Sequence, residues 1–188
     1  MLGWDEVETP APGPGGCSRP SEIASAIELG PMRPGREPVM QRFVVEDSFW
    51  NLFPDASVAC LVVRGMRTAD EVGAEDRAAI AGLLEQANRD AARHLDSPTL
   101  AENAPVKVWR EAYRSFKTKR GARCSIENLL KRVLKDNPVG PITPSVDLYN
   151  IVSLRHAFPV GGEDVNAFAG DLRLGVTEGG DAFWALGE

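Results

Sequence analysis

PITPSVDLYNIVSLRHAFPVGGEDV, residues 141–165, is the stretch whose reading decides how this chain folds. Pro144 followed by Ser145 and Asp147 marks a helix start: Ser145 is a capping residue type, and Asp147 suits the positive end of the helix dipole. Pro159 stops the helix, since proline offers no N–H and clashes with the preceding turn. Val146, Leu148, Tyr149, Ile151, Val152 and Leu154 fall on almost every side, which predicts a helix surrounded by protein. Asp147, Asn150 and Ser153 then recur every third residue on a buried element, and buried polar groups need partners. Two readings follow: they hold neighbouring loops, or they face a ligand near the Gly161-Gly162 turn, where a backbone without side chains permits close approach.

Working outward, the 188 residues and 43% hydrophobic content suffice for one core. The chain has no run of about eighteen apolar residues, and it opens with the acidic MLGWDEVE. The expected location is therefore cytoplasmic, with no membrane contact. Cys17, Cys60 and Cys124 are odd in number and far apart, fitting neither a zinc site nor a disulfide framework, so no metal and no cofactor are expected.

Residues 1–39 hold 7 of the 14 prolines and 6 of the 18 glycines. They read as a disordered leader, with SEIASAIEL the only helix-like pattern, and Met40 as the start of the folded domain, residues 40–188. Within that domain 41–46 reads as a strand and the aromatic-rich 49–53 as a turn. SVACLVV, 57–63, reads as a strand buried on both faces. Residues 74–95 read as a long amphipathic helix with Ile80, Leu83, Leu84, Ala87, Ala91 and Leu95 inward. Asp171 to Thr177 and Ala182 to Leu186 flank Glu178-Gly179-Gly180-Asp181, a hairpin pattern. The expected fold class is α+β, a mixed sheet packed with helices.

The electrostatic signal is strongest between Lys107 and Lys135, where ten Lys and Arg stand against two Glu in a chain of net charge −6. One predicted helix carries Trp109, Ala112, Tyr113 and Phe116 inward and Lys107, Arg110, Arg114 and Lys117 outward. A second, with Ser125 as its predicted cap, carries Ile126, Leu129, Leu130, Val133 and Leu134 inward. KTKRGARC between them adds Lys119, Arg120 and Arg123. Charge segregated in this way suits phosphate backbones; ordinary solvated helix faces are the other reading. Hydrolytic machinery of the Ser/His/Asp kind is not expected, since neither His94 nor His156 has a nucleophile pattern beside it. Cys124 reads as a small buried residue at a helix start.

Taken in order, VWREAYRSFKTKRGARCSIENLLKRVL and PITPSVDLYNIVSLRHAFPVGGEDVNAFAGDLRL resemble the free-standing relatives of the editing (B3/B4) domain of the phenylalanyl-tRNA synthetase beta subunit. The resemblance implies an editing-domain-like α+β fold, shortened here at the C-terminus because the family's further strands would follow residue 188. It also implies aminoacylated tRNA as the partner, with no DNA, and hydrolysis of misacylated tRNA in trans: an aminoacyl-tRNA deacylase, an ester hydrolase. A non-catalytic tRNA-binding or RNA-binding module with a degenerate editing pocket is the alternative.

Val146, Asp147, Asn150, Val152, Pro159 and Asp164 match the family pattern. The threonine before the family asparagine is Tyr149 here, and the histidine after its proline-methionine pair is Gly161. By this resemblance Asn150 is the catalytic candidate, orienting water or the aminoacyl group. Asp147 or Asp164 would bind the substrate ammonium, and backbone N–H groups of Gly161 and Gly162 would face the ester. Lys107, Arg110, Arg114, Lys117, Lys119, Arg120 and Arg123 would hold the RNA. An aminoacyl ester is already activated, so such a deacylase needs positioned dipoles and a water rather than a covalent nucleophile.

Overall fold

The computed structural model describes residues 26–31, 40–118, 121–167 and 169–180, the first segment and Met40 by backbone alone. Three strands form one sheet in the order β1 (Ala26–Pro31), β2 (Met40–Val45), β3 (Leu172–Leu174). β1 runs antiparallel to β2, with a register shift between Glu28 and Gly30, and β3 runs parallel to β2 with Phe43 opposite Leu172. A parallel pair cannot be joined by a tight turn. Here the whole helical body makes the crossover: α1 (Asp47–Leu52), α2 (Ala74–Ala91), α3 (Ala104–Ala112), α4 (Ser125–Leu134) and α5 (Pro144–His156) all lie between β2 and β3.

The core sits among the helices. Leu84, Ala87 and Ala91 of α2, Val106 of α3, Ile126 and Leu130 of α4, and Ile151 and Leu154 of α5 form one buried cluster with Cys124 and Val139. Each large aliphatic side chain buried there stabilises the fold by about 1.5–3 kcal/mol. Buried side chains also fasten loops to it. The Asn88 amide donates to the carbonyls of Leu84 and Val139 at 2.9 and 3.0 Å and accepts from the Val139 N–H at 2.8 Å, so one α2 side chain serves the backbone of residue 139 as a strand partner would. Asn103 does likewise for 97–100: its amide oxygen accepts from the Ser97 N–H, and its nitrogen donates to the carbonyls of Ser97, Thr99 and Leu100.

The sheet closes the two ends of this body on each other. Arg42 of β2 meets Asp171 at 2.7 Å, Arg173 of β3 meets Glu46 at 3.2 Å, and the Glu46 N–H donates to the Leu174 carbonyl at 2.9 Å. An aromatic chain links the sheet end to α3: Phe49 meets Trp50 edge-on and Phe53 at a tilt, Phe53 meets Phe116 edge-on, and Phe116 meets Tyr113 at a tilt.

The α+β class holds, with helices predominating. Several local expectations are corrected. Ala26–Pro31, inside the expected disordered leader, is a strand, because β2 offers it a hydrogen-bonding edge that composition does not reveal; the other residues of 1–39 lie outside the described residues. Residues 49–53 mostly belong to helix α1. The 57–63 segment forms no strand among the described residues, and Leu61 and Val63 are 85% and 55% exposed. An apolar run supplies the face of a strand but not a neighbour to pair with. Of the predicted hairpin, the first strand is present in part as β3, paired parallel to β2, and Ala182 to Leu186 lies outside the described residues.

Candidate functional site

α5 begins where Thr143, not Ser145, caps it: proline occupies the first helical position, so the cap falls one residue earlier, and the Thr143 Oγ1 accepts from the Val146 N–H at 3.4 Å. α5 ends at Ala157, which adopts a left-handed conformation (φ 54°) and turns the chain back. Pro159 reinforces that end by excluding helix at the residue before it. The returning strand of chain then runs along α5. The Val160 N–H donates to the Ser153 Oγ at 3.1 Å, and a Cβ placed on Gly162 would stand 3.6 Å from the Tyr149 ring. Tyr149 and Ser153 are one helical turn apart, so the Gly161-Gly162 turn lies over the Tyr149 side of the helix.

On the buried side of α5, Asp147, Asn150 and Ser153 are 5%, 7% and 1% exposed. Asp147 accepts from the Ile142 N–H at 2.8 Å and so fastens the loop before the helix. Ser153 fastens the loop after it. Asn150, between them, makes no side-chain hydrogen bond to a described residue. The amide atoms themselves are not sealed from solvent, so they have donor and acceptor capacity available for a ligand. Asp164 is exposed, and its Oδ1 accepts from the N–H and side-chain amide of Asn166, an Asx turn. The opposite side of α5 is open, contrary to the expectation of a fully surrounded helix: Ser145, Leu148, Val152 and His156 are exposed at spacings of three or four residues.

The cationic segment folds into α3, a turn and α4. Val106 anchors α3 in the core, Lys107, Arg114 and Lys117 are exposed, and Lys119 and Arg120 lie outside the described residues. Arg110 does not belong to the outer ridge. Its guanidinium donates to both oxygens of Glu127, from Nη2 at 2.7 Å and from Nε at 3.1 Å, and Glu127 is buried. That carboxylate holds the Arg110 proton even more tightly than usual, raising its pKa. Arg123 Nε reaches the same carboxylate at 3.0 Å. Arg114 and Lys117 have no acidic partner among the described residues.

The cap of α4 is Cys124 rather than Ser125, which already has helical geometry. Burial pushes the Cys124 thiol above its ordinary pKa, opposite to what a reactive thiolate needs. The Tyr113 hydroxyl is raised for the same reason.

Two clefts flank α3, each about 290 Å³. Arg110, Tyr113, Arg114, Thr118, Gly121 and Arg123 line the first; Lys107, Arg110 and Arg114 line the second together with Glu102 and Glu111. Neither includes Asn150, Asp147, Gly161, Gly162 or Asp164. The structure thus groups Arg110, Arg114 and Arg123 around one concavity, whereas Asn150 lies on the buried side of α5 and Gly162 over its Tyr149 side; α4 packs against both α3 and α5. Sequence reasoning missed Glu127 as the organiser of the cations. Its place on α4, beside the inward Ile126 and Leu130, is the signal that could have found it. Among the described residues no three His, Cys, Asp or Glu cluster as metal ligands, and no helix is long and apolar enough to cross a membrane.

Comparison with known proteins agrees with the resemblance over the second half of the chain. Residues 108–188 match the family model of the B3/4 domain, a domain found in the phenylalanyl-tRNA synthetase beta subunit. No curated protein and no solved structure matches the chain.

Proposed function

With residues 108–188 matching the B3/4 domain as the premise, we propose that this chain is a tRNA-binding module whose contact surface is α3 and the turn after it. The observation that carries the reading is the uncommitted charge: Lys107, Arg114 and Lys117 are exposed and lack acidic partners among the described residues, beside Arg110 and Arg123, which pair with Glu127. Cations in that state can exchange water and counterions for phosphates without breaking an internal ion pair. Lys119 and Arg120 extend the same surface in the sequence. Binding of a purified tRNA measured over a salt series tests this: affinity falls steeply with salt if the surface contacts several phosphates, and absent binding at low salt removes the reading.

A second reading, hydrolysis of misacylated tRNA in trans, is favoured by Asn150. An amide on a largely buried residue that keeps access to solvent and has no partner among the described residues is suited to orient a water or an aminoacyl ester. Water then adds to the ester carbonyl, the ribose oxygen departs, and backbone N–H groups of Gly161 and Gly162 would stabilise the developing oxyanion. Asp147 and Asp164 would serve this scheme as binders of the substrate ammonium only through the carboxylate oxygens not already engaged locally. A panel of correctly and incorrectly charged tRNAs, followed for loss of the aminoacyl group, separates the hydrolase from the non-catalytic module.

A further inference from the structure

The two clefts beside α3 differ in one respect that decides what each can hold. Glu102 and Glu111 line the second cleft and offset most of the charge of Lys107, Arg110 and Arg114. No acidic residue among the described residues lines the first, which Arg110, Arg114 and Arg123 line together. Glu127, paired with Arg110 and Arg123, cancels one of the three charges, leaving a surplus of two among the described residues.

Glu127 also sets how the arginines are presented. Arg110 donates from Nε and Nη2 to it, whereas Arg123 meets it as an ion pair and donates from Nη1 to the Ala122 carbonyl at 2.8 Å. The remaining Nη1 of Arg110 and Nη2 of Arg123 have no partner among the described residues, and the guanidinium plane of Arg110 is already held. Arg114, which lines the same cleft, has its whole guanidinium uncommitted. The Tyr113 ring and the Thr118 hydroxyl complete the wall, and Gly121 turns the chain there with φ +87°, a conformation that favours glycine.

We propose that this cleft binds a terminal phosphate, a phosphomonoester, carried on the reading above by an RNA end. A phosphomonoester carries roughly −1.5 to −2 charges near pH 7, matching the surplus, whereas an internal diester brings one charge. Planar guanidiniums fixed by a carboxylate suit several charge-assisted hydrogen bonds to one group of oxygens. The cleft is also large enough for more than the phosphate itself, and Tyr113 supplies a face on which an end base or sugar can pack.

The test uses the full chain and one labelled RNA sequence prepared with a 5′-phosphate, a 3′-phosphate or hydroxyls at both ends, with adenosine monophosphate as competitor. A phosphorylated end is expected to improve affinity by roughly tenfold or more, the size of one or two charge-assisted hydrogen bonds. Adenosine monophosphate should erase that advantage without abolishing binding. Arg114→Gln should reduce it to near unity, while Lys117→Gln, outside the cleft, should weaken all three RNAs alike. Equal wild-type affinity for the three RNAs overturns the end-phosphate site and leaves the RNA surface standing. Adenosine monophosphate bound in an Arg114-dependent way, with no RNA bound, supports a phosphomonoester cleft and removes the RNA reading. A full end-phosphate advantage in Arg114→Gln overturns the assignment to this cleft, and binding of neither RNA nor nucleotide overturns both.

Discussion

Arg110 and Glu127, seventeen residues apart, close a two-pronged ion pair between α3 and α4, at 2.7 and 3.1 Å, with the carboxylate buried and the guanidinium about one-third exposed. Removing the carboxylate leaves two guanidiniums facing each other without a counter-charge. Glu127→Ala is therefore expected to destabilise the fold by about 2 kcal/mol, between the values for exposed and fully buried pairs. Thermal or urea unfolding measures it, and an unchanged midpoint would show that the pair is only a surface contact.

The same pair changes which arginines can be used to test RNA binding. Arg110 is read from periodicity as an outward cation, but reversing its charge would oppose Glu127 directly and confound binding with unfolding. Lys107, Arg114 and Lys117 are free of that problem. Reversing these three to Glu should weaken tRNA binding and flatten its salt dependence, with the melting temperature moving little. Binding that persists with the wild-type salt slope would move the RNA surface elsewhere.

Asn150 separates chemistry from structure in a way that Asn88 and Asn103 cannot. Those two are tied into loops by several hydrogen bonds, so Asn88→Ala should strand buried carbonyl and N–H groups of Leu84 and Val139 and cost about 1–3 kcal/mol. Asn150→Ala breaks no hydrogen bond to a described residue and should melt close to wild type. If the chain deacylates tRNA through this residue, the same substitution lowers the rate by roughly a hundredfold or more. A variant that melts early, with activity tracking its folded fraction, would assign Asn150 to structure.

Asp171 links acid stability to the sheet. Hydrogen bonds from Arg42, aided by Arg173, hold its carboxyl below the ordinary value of 3.8. A carboxyl whose folded pKa is depressed contributes stability that is fully present above the unfolded pKa and lost as pH falls through the folded one. The difference in melting temperature between wild type and Asp171→Asn should therefore be constant above about pH 5 and shrink below about pH 4. A difference that does not change with pH would mean that the carboxylate charge is not what holds β3 against β2.

β1 makes the leader testable. A chain starting at Met40 loses the strand paired with β2, whereas one starting at Ser21 keeps it. The shorter chain is expected to melt several degrees lower, since each 1 kcal/mol shifts a domain of this size by about 2–4 °C. Equal melting would return residues 26–31 to the status of a dispensable leader.

Much of the helical body was legible because its signals are local. The 3.6-residue period of Leu84, Ala87 and Ala91, and of Ile126 and Leu130, places those side chains inward whatever they pack against. Pro144 and Pro159 bound α5 through their own backbone chemistry. Leu83 shows the limit of the method: it shares the apolar face of α2 by period, yet it is 43% exposed, because the width of a buried stripe depends on the neighbour that covers it.

By itself, the sequence determined helices beginning at Ala74 and Pro144, the concentration of positive charge between residues 107 and 135, and the likeness of its second half to the B3/4 domain. Tertiary structure alone decided that β1 pairs with β2, that 57–63 stays exposed, that Arg110 turns inward to Glu127, and that Arg114 remains uncommitted in a cleft. The division has a physical cause. Period, capping and composition are properties of neighbours along the chain, whereas strand pairing and ion pairing depend on which distant backbone edge or carboxylate comes within about 3 Å once the chain has folded.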